Sequence, residues 1–294
     1  MKRILLTGGT GFIGRHLLEG LKGEYEVTAP TRQQLNLLDA DAVLACLESG
    51  KYDVVIHCAT QNASRNAAEP KDAVLERTLR MFFNLLRGEE HFGQLLYFGS
   101  GAEFDKSQGI RFVAEDSFGE RVPQDGYGFA KYIMNQAALH SDKITNLRLF
   151  GCFGEYEDWE IRFISNAICK ALHGLPVTLR QNTIFDYLYV QDIIPVVQYF
   201  IENTPRLRHY NLCSGRRIDL LGIVPLIEQA TGRKLQVHVA AKGLNLEYTA
   251  SNARLMDELP WLRFTPLDEA IGKLYRWYAG RLDQIPKEKL LCDK

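Results

Sequence analysis

With 294 residues, 46% of them hydrophobic and 24% charged, the chain has the composition of an ordinary globular protein, long enough for one large or two modest domains. A formal net charge of −1 and the lack of any long basic run leave no surface for nucleic acid or an anionic membrane, and the one early apolar run, Ile4 to Leu6, is too short for a signal peptide. No membrane-length apolar run follows, and six cysteines (Cys46, Cys58, Cys152, Cys169, Cys213, Cys292) lack CxxC or zinc-like spacing, so a cytoplasmic protein with reduced thiols and no metal site is expected.

Lys2 to Leu6 reads as a buried parallel strand, and the period turns helical from Phe12 and Ile13 to Leu17, Leu18 and Leu21. Between them Gly8, Gly11 and Gly14 recur every third residue. Such a turn lets the backbone approach a pyrophosphate at a helix N-terminus, so dinucleotide binding is expected here. The spacing Thr7-Gly-Gly-Thr-Gly-Phe-Ile-Gly14 resembles the GxxGxxG of the extended short-chain dehydrogenase/reductase family, which contains nucleotide-sugar epimerases, dehydratases and reductases. Gly8, Gly11, Phe12, Ile13, Gly14 and Arg15 are the cofactor residues expected of this turn.

A second strand, Tyr25 to Ala29, leads to Arg32. An acidic residue at this point suits the ribose 2′-OH of NAD, whereas a basic one suits a 2′-phosphate, so NADP(H) is preferred, with NAD(H) as the alternative. Arg15 could assist. A helix from Ala40 to Glu48 and a buried strand from Tyr52 to Ala59 complete a βαβαβ unit. The segment Thr31 to Asp39 resembles that of the family's sugar-nucleotide reductases, which implies that Leu38 and Asp39 lie beside the adenine and Ala59 and Thr60 along the cofactor. His57, within an apolar strand, reads as a satisfied core residue. Pro70 to His91 has the stripe of a long amphipathic helix. By resemblance this helix and the next would form a homodimer interface.

The strand Leu95 to Phe98 ends in Gly99-Ser-Gly-Ala-Glu-Phe-Asp105, where ligands bind in an open parallel sheet. Downstream, Tyr127-Gly-Phe-Ala-Lys131 places a phenol and an ammonium on one helix face. A neighbouring Lys⁺ and an oxidised nicotinamide would favour the phenolate and lower the pKa of Tyr127, as interconversion of an alcohol and a carbonyl requires. YxxxK resembles the active-site motif of the short-chain family, in which Lys131 would also hold the nicotinamide ribose. Ser100, four residues before Phe104, would complete the set by hydrogen bonding the substrate oxygen.

The residues after Ser100 narrow the reaction. The family's 4,6-dehydratases carry Asp-Glu there, and this chain has Gly101 and Ala102. Dehydration is not expected. By the same resemblance, double epimerisation would use a Cys at the position of Ala102 and a His within Trp159 to Phe163, and it is not expected unless Glu103 or another group substitutes. Gly151-Cys-Phe-Gly154 stands where the family has NVYGP, and Phe185-Asp-Tyr-Leu-Tyr-Val-Gln-Asp192 where it has RDFVYVDD. With Phe185 in place of that arginine, Arg180 or Lys170 is expected to hold a diphosphate. Gly101, Glu103 and Arg162 are further candidate substrate contacts.

The fold expected is α/β: a Rossmann-type doubly wound parallel sheet over residues 1–150, completed by about 183–205, with a smaller C-terminal α/β substrate lobe from 151–182 and 206–294. Helices are expected over 161–172, 220–231 and 267–278, strands over 144–150 and 175–179, and a frayed tail from Gln284. The function expected is NADPH-dependent reduction of a nucleotide-activated keto-sugar, C4 by analogy, in a 4-keto-6-deoxy sugar. A 4-epimerase retaining NAD(H) is the alternative, and a non-enzymatic NADP(H)-binding regulator the second.

Overall fold

A computed structural model describes residues 1–61 and 72–291. Six parallel strands form the central sheet: β1 (Arg3–Thr7), β2 (Glu26–Thr28), β3 (Tyr52–His57), β4 (Phe92–Ser100), β5 (Ile144–Leu149) and β6 (His209–Leu212). Their spatial order is β6-β5-β4-β3-β1-β2. The helices are α1 (Phe12–Leu21), α2 (Ala40–Gly50), α3 (Asp72–Leu86), α4 (Gly126–Leu139), α5 (Phe163–Leu172), α6 (Ile193–Glu202), α7 (Leu220–Thr231), α8 (Ala253–Glu258) and α9 (Leu267–Ala279).

The continuous apolar runs of β1, β3 and β4 bury both faces of the sheet, as parallel strands with helical crossovers must. Ile4, Leu6, Val54, Ile56, Leu96 and Phe98 join a core with Leu17 of α1 and Val197 of α6. Leu5, Val55, Leu95 and Tyr97 point the other way, onto Val43, Phe82 and Met134 of α2, α3 and α4. This is the expected doubly wound Rossmann arrangement. The order of strands reverses beside β1, and the glycine turn leaves β1 at that switch point.

Three sequence expectations change. Strand β6, assigned to the lobe, pairs with β5 in the central sheet, His209 opposite Asn146. Up to Leu291 the tail is not frayed: Ile285 and Leu290 are buried in the core, and Ile285 O contacts His173 Nε2 at 2.9 Å. The helix expected over 70–91 is α3 followed by a 3₁₀ turn, Glu89–His91, with Pro70 and Lys71 outside the described residues. Cys46, Cys58, Cys152, Cys169 and Cys213 are free thiols, and Cys292 also lies outside the described residues.

Beyond the sheet, strand 177–182 pairs with strand 237–244. A second small sheet orders strands 218–219, 184–185, 248–250 and 110–113. Tyr248 pairs there with both Ile110 and Phe185, so its backbone is held on two sides. The same apolar core continues through Ile164 and Ile168 of α5 to Leu274 and Tyr278 of α9, which packs the lobe firmly onto the sheet.

Candidate active site

The turn after β1 is built so that nothing fills it. Gly8 has φ +74, and a Cβ there would lie 2.6 Å from Ala59 N at the end of β3. A Cβ on Gly14 would lie 2.2 Å from Gly8 O, so α1 seats directly on the turn only because both positions are glycine. Gly11 is the N-cap of α1, with no side-chain cap and no acid in the first turn, which leaves the positive end of the helix facing outward. A cavity of about 360 Å³ opens at this end, lined by Thr10, Gly11, Phe12, Arg15, Tyr156 and Trp277 among others. The Arg15 guanidinium stacks 4.6 Å from the centre of the Tyr156 ring. The bare turn and the uncapped α1 terminus suit the phosphates of a dinucleotide, although Glu157 and Asp158 also line the cavity.

Of the other residues expected at the cofactor, Ile13 packs partly into the core, Ala59 lies against Gly8, and Thr60 and Arg32 are exposed. Leu38 is half-buried. Asp39 has a structural task as well: it is the N-cap of α2 and accepts from Ala42 N at 3.1 Å. His57 is buried, its Nδ1 2.8 Å from Thr7 Oγ1, but it is satisfied on one side only: among the described residues its Nε2 has no partner. Burial and the nearby Lys131 charge push its pKa down to about 3, so it stays neutral.

Ser100 ends β4 and Tyr127 and Lys131 lie on the inner face of α4, which Asp125 caps by accepting from Gly128 N at 2.9 Å. Lys131 is 4% exposed and donates from Nζ to Phe98 O at 2.7 Å, so one of its three protons fixes it beside β4. Burial lowers its pKa to about 8 against the opposing pull of Glu103. The Ser100 hydroxyl lies near enough to Tyr127 to favour its phenolate. Here the sequence reading needs correction: burial raises the Tyr127 pKa, and its chief opponents are the Ser100 hydroxyl and the Arg162 guanidinium rather than Lys131. At neutral pH the phenol is protonated.

The candidate substrate residues divide. Arg162, exposed at the N-cap of α5, faces Tyr127, Glu157 and Tyr187. Glu103 does not face substrate: it is wholly buried, accepting from Ser100 N at 3.0 Å, Asn146 Nδ2 at 3.1 Å and Arg148 Nε at 2.7 Å. Gly101 is likewise buried, under Phe150 and Tyr248. Lys170 is 3% exposed and donates to Thr178 within the lobe, so a diphosphate has no access to its charge. Arg180 stays an exposed side chain on strand 177–182.

Two functional neighbours escaped the sequence reading. Tyr248 Oη is 3.3 Å from Ser100 Oγ, although 148 residues separate them. Arg148, fully buried, ties Glu103 to Asn211 Oδ1 at 2.9 Å and to His209 Nδ1 at 3.3 Å. The pairing of β4, β5 and β6 brings Arg148 to Glu103, Asn211 and His209, and the second small sheet carries Tyr248 to Ser100. An arginine within the apolar strand 144–149 was the one available signal.

The sequence model of the NAD dependent epimerase/dehydratase family matches residues 4–213, a span that holds the glycine turn, Ser100, Tyr127 and Lys131. The chain belongs to this family. Among relatives of the epimerase/dehydratase family, GDP-L-colitose synthase of Yersinia pseudotuberculosis is 22% identical, over 95% of this chain and 98% of that protein. A bifunctional UDP-glucose and UDP-xylose 4-epimerase of Pisum sativum is also 22% identical, covering 94% of this chain and 95% of its own. Of solved structures, a GDP-L-fucose synthetase from Naegleria fowleri bound to NADP superposes with a TM-score of 0.82 at 19% identity, covering 96% and 94% of the two chains. As a member of the epimerase/dehydratase family, the chain is a nicotinamide-dinucleotide-dependent enzyme.

Proposed function

We propose that this enzyme is an NADP(H)-dependent reductase of a nucleotide-activated keto-sugar, with the C4 ketone of a 4-keto-6-deoxy sugar as the reacting group. The observation that carries this reading is the placement of Ser100 at the end of β4 against the α4 residues Tyr127 and Lys131, with Lys131 anchored on Phe98 O. When bound, the nicotinamide supplies a hydride to the carbonyl carbon. Tyr127 gives its proton to the carbonyl oxygen, Ser100 donates a hydrogen bond to the same oxygen, and Lys131 holds the ribose with its remaining protons. The ketone thus gains one hydride and one proton and becomes an alcohol, and Tyr127 regains its proton from solvent.

Arg32, exposed beyond the end of β2, is assigned to the 2′-phosphate of NADP(H), which suits an enzyme that exchanges a spent cofactor at each turnover. Arg162 is assigned to the substrate. Relatives named for GDP-sugars, the colitose synthase and the fucose synthetase among them, make GDP-linked sugars the first to try. The 4-epimerase reading draws on the Pisum sativum relative and shares the same three residues. A homodimer through α3 and α4 would cover Phe83 and Leu139, both 40% exposed.

Tyr127→Phe is the test of the chemistry. The account expects turnover to fall by about 10² to 10⁴ with NADPH affinity unchanged. An active Tyr127→Phe variant would mean that the proton comes from elsewhere.

A further inference from the structure

Ser100 has one proton to donate and two lone pairs to fill. One lone pair accepts from Ala102 N at 3.2 Å in the turn that follows β4. The neighbour at the second position is Tyr248 Oη, at 3.3 Å. Tyr248 reaches it from strand 248–250, whose backbone is paired on both sides, and its ring packs against Phe150 and Phe185 at centroid distances of 5.3 and 6.0 Å. Room for the phenol exists because residue 101 is glycine: a Cβ there would lie 2.6 Å from Tyr248 Oη and 2.5 Å from Phe150. The chain leaves this position bare, and a second phenol occupies the space.

We propose that Tyr248 is a positioning residue for the reaction, donating its hydroxyl proton into Ser100 Oγ so that the single Ser100 proton is turned toward Tyr127 and the substrate oxygen. This rests on the reading of Ser100, Tyr127 and Lys131 as the carbonyl-reducing set. With Ala102 N–H and Tyr248 O–H both donating to Oγ, the hydroxyl of Ser100 has one direction left. Its rotor is set before substrate arrives, which is the preorganisation that makes a hydrogen-bond donor effective on a developing negative charge. Burial raises the pKa of Tyr248, so the phenol keeps the proton this role needs, and the charged or titratable groups facing it are Tyr127, Glu103 and Arg162. Tyr127 is faced by Arg162, Glu103 and Asp125 as well as by the Ser100 hydroxyl.

The test is a double-mutant cycle on the full chain with Tyr248→Phe and Ser100→Ala, because Phe keeps the packing against Phe150 and Phe185 and removes only the hydroxyl. The first readout needs no substrate: Tyr127 is carried as ring-fluorinated tyrosine, which titrates at a lower pH than tyrosine, and followed by fluorine NMR. Tyr248→Phe is expected to move the Tyr127 midpoint to higher pH by about half a unit, since Ser100 no longer aims its proton at the phenolate. In the Ser100→Ala background the same change should leave the midpoint where it was. The second readout is turnover of whichever keto-sugar the wild type reduces. Tyr248→Phe is expected to lower kcat about tenfold at nearly constant KM, and to cost nothing further once Ser100 is Ala.

A Tyr127 midpoint that ignores Tyr248→Phe, or one that moves equally with and without Ser100, overturns the proposal. Additive losses in kcat also overturn it, by showing that Tyr248 acts on substrate directly. If no keto-sugar is reduced, the proposed function falls while the fluorine titration still decides the role of Tyr248.

Discussion

Arg148 Nε donates to Glu103 Oε2 at 2.7 Å, and neither side chain has any contact with solvent. The same carboxylate accepts from the backbone N–H of Ser100, so a buried ion pair lies one hydrogen bond from the residue proposed to meet the substrate. Glu103 is therefore support for the site and not part of its surface. Replacing it with Ala strands the Arg148 charge inside the protein, at a cost of about 3 to 5 kcal/mol. Urea unfolding should show that loss directly. A Glu103→Ala variant of normal stability and raised substrate KM would return Glu103 to the substrate contacts.

Glu157 makes stability depend on pH in a predictable sense. It is 7% exposed, accepts from Ser165 Oγ at 2.7 Å, and burial raises its pKa from 4.5 to about 8. A carboxyl with a raised folded-state pKa holds a proton that the unfolded chain has released, so its contribution falls as pH rises from about 4.5 to about 8. Glu157→Gln removes that titration. Relative to wild type, the variant should gain stability across this interval by up to about 1.4 kcal/mol per pH unit. Unfolding midpoints at acid and alkaline pH check this, and a pH-independent difference would contradict it.

How much of this could be read from the chain alone follows from how local each signal is. The glycine turn, the apolar runs of β1 and β3, and the i, i+4 pair Tyr127 and Lys131 are contiguous patterns, and the doubly wound fold was expected from them. The limits of helix α7 follow from the resemblance to the family, and in the structure Asp219 caps it and Gly232 ends it at φ +67. Strands 110–113 and 248–250 were missed because each is short and owes its form to the other. Glu103 misleads for a related reason: an acid three residues after the candidate serine looks like a site residue until Arg148 closes on it from β5. Tyr248 and Ser100 meet only through non-local strand pairing, and Lys170 reads as a diphosphate contact until α5 turns it inward.

Gly14→Ala should strike the cofactor cradle. The new Cβ would lie 2.2 Å from Gly8 O, so α1 must move away from the turn that it seats on. NADPH affinity is expected to drop at least about tenfold as the helix terminus leaves the phosphates. Quenching of NADPH fluorescence measures it, alongside circular dichroism to show that helix content persists. Undiminished affinity would place the dinucleotide elsewhere.

Arg32→Ala should separate the two cofactors. Loss of a guanidinium from a 2′-phosphate is expected to weaken NADPH by about tenfold while NADH changes little. Equal weakening of both, or of neither, would remove Arg32 from the cofactor site.

The most direct test of the central claim is the loss of reduced-nicotinamide absorbance when the purified protein meets NADPH, then NADH, with a panel of GDP-, CDP- and dTDP-linked 4-keto-6-deoxy sugars. The account predicts NADPH consumption stoichiometric with one member of the panel, and an alcohol as the product. No consumption, together with tightly held NAD(H) released on denaturation and interconversion of 4-epimeric nucleotide sugars, would contradict it and make the enzyme an epimerase.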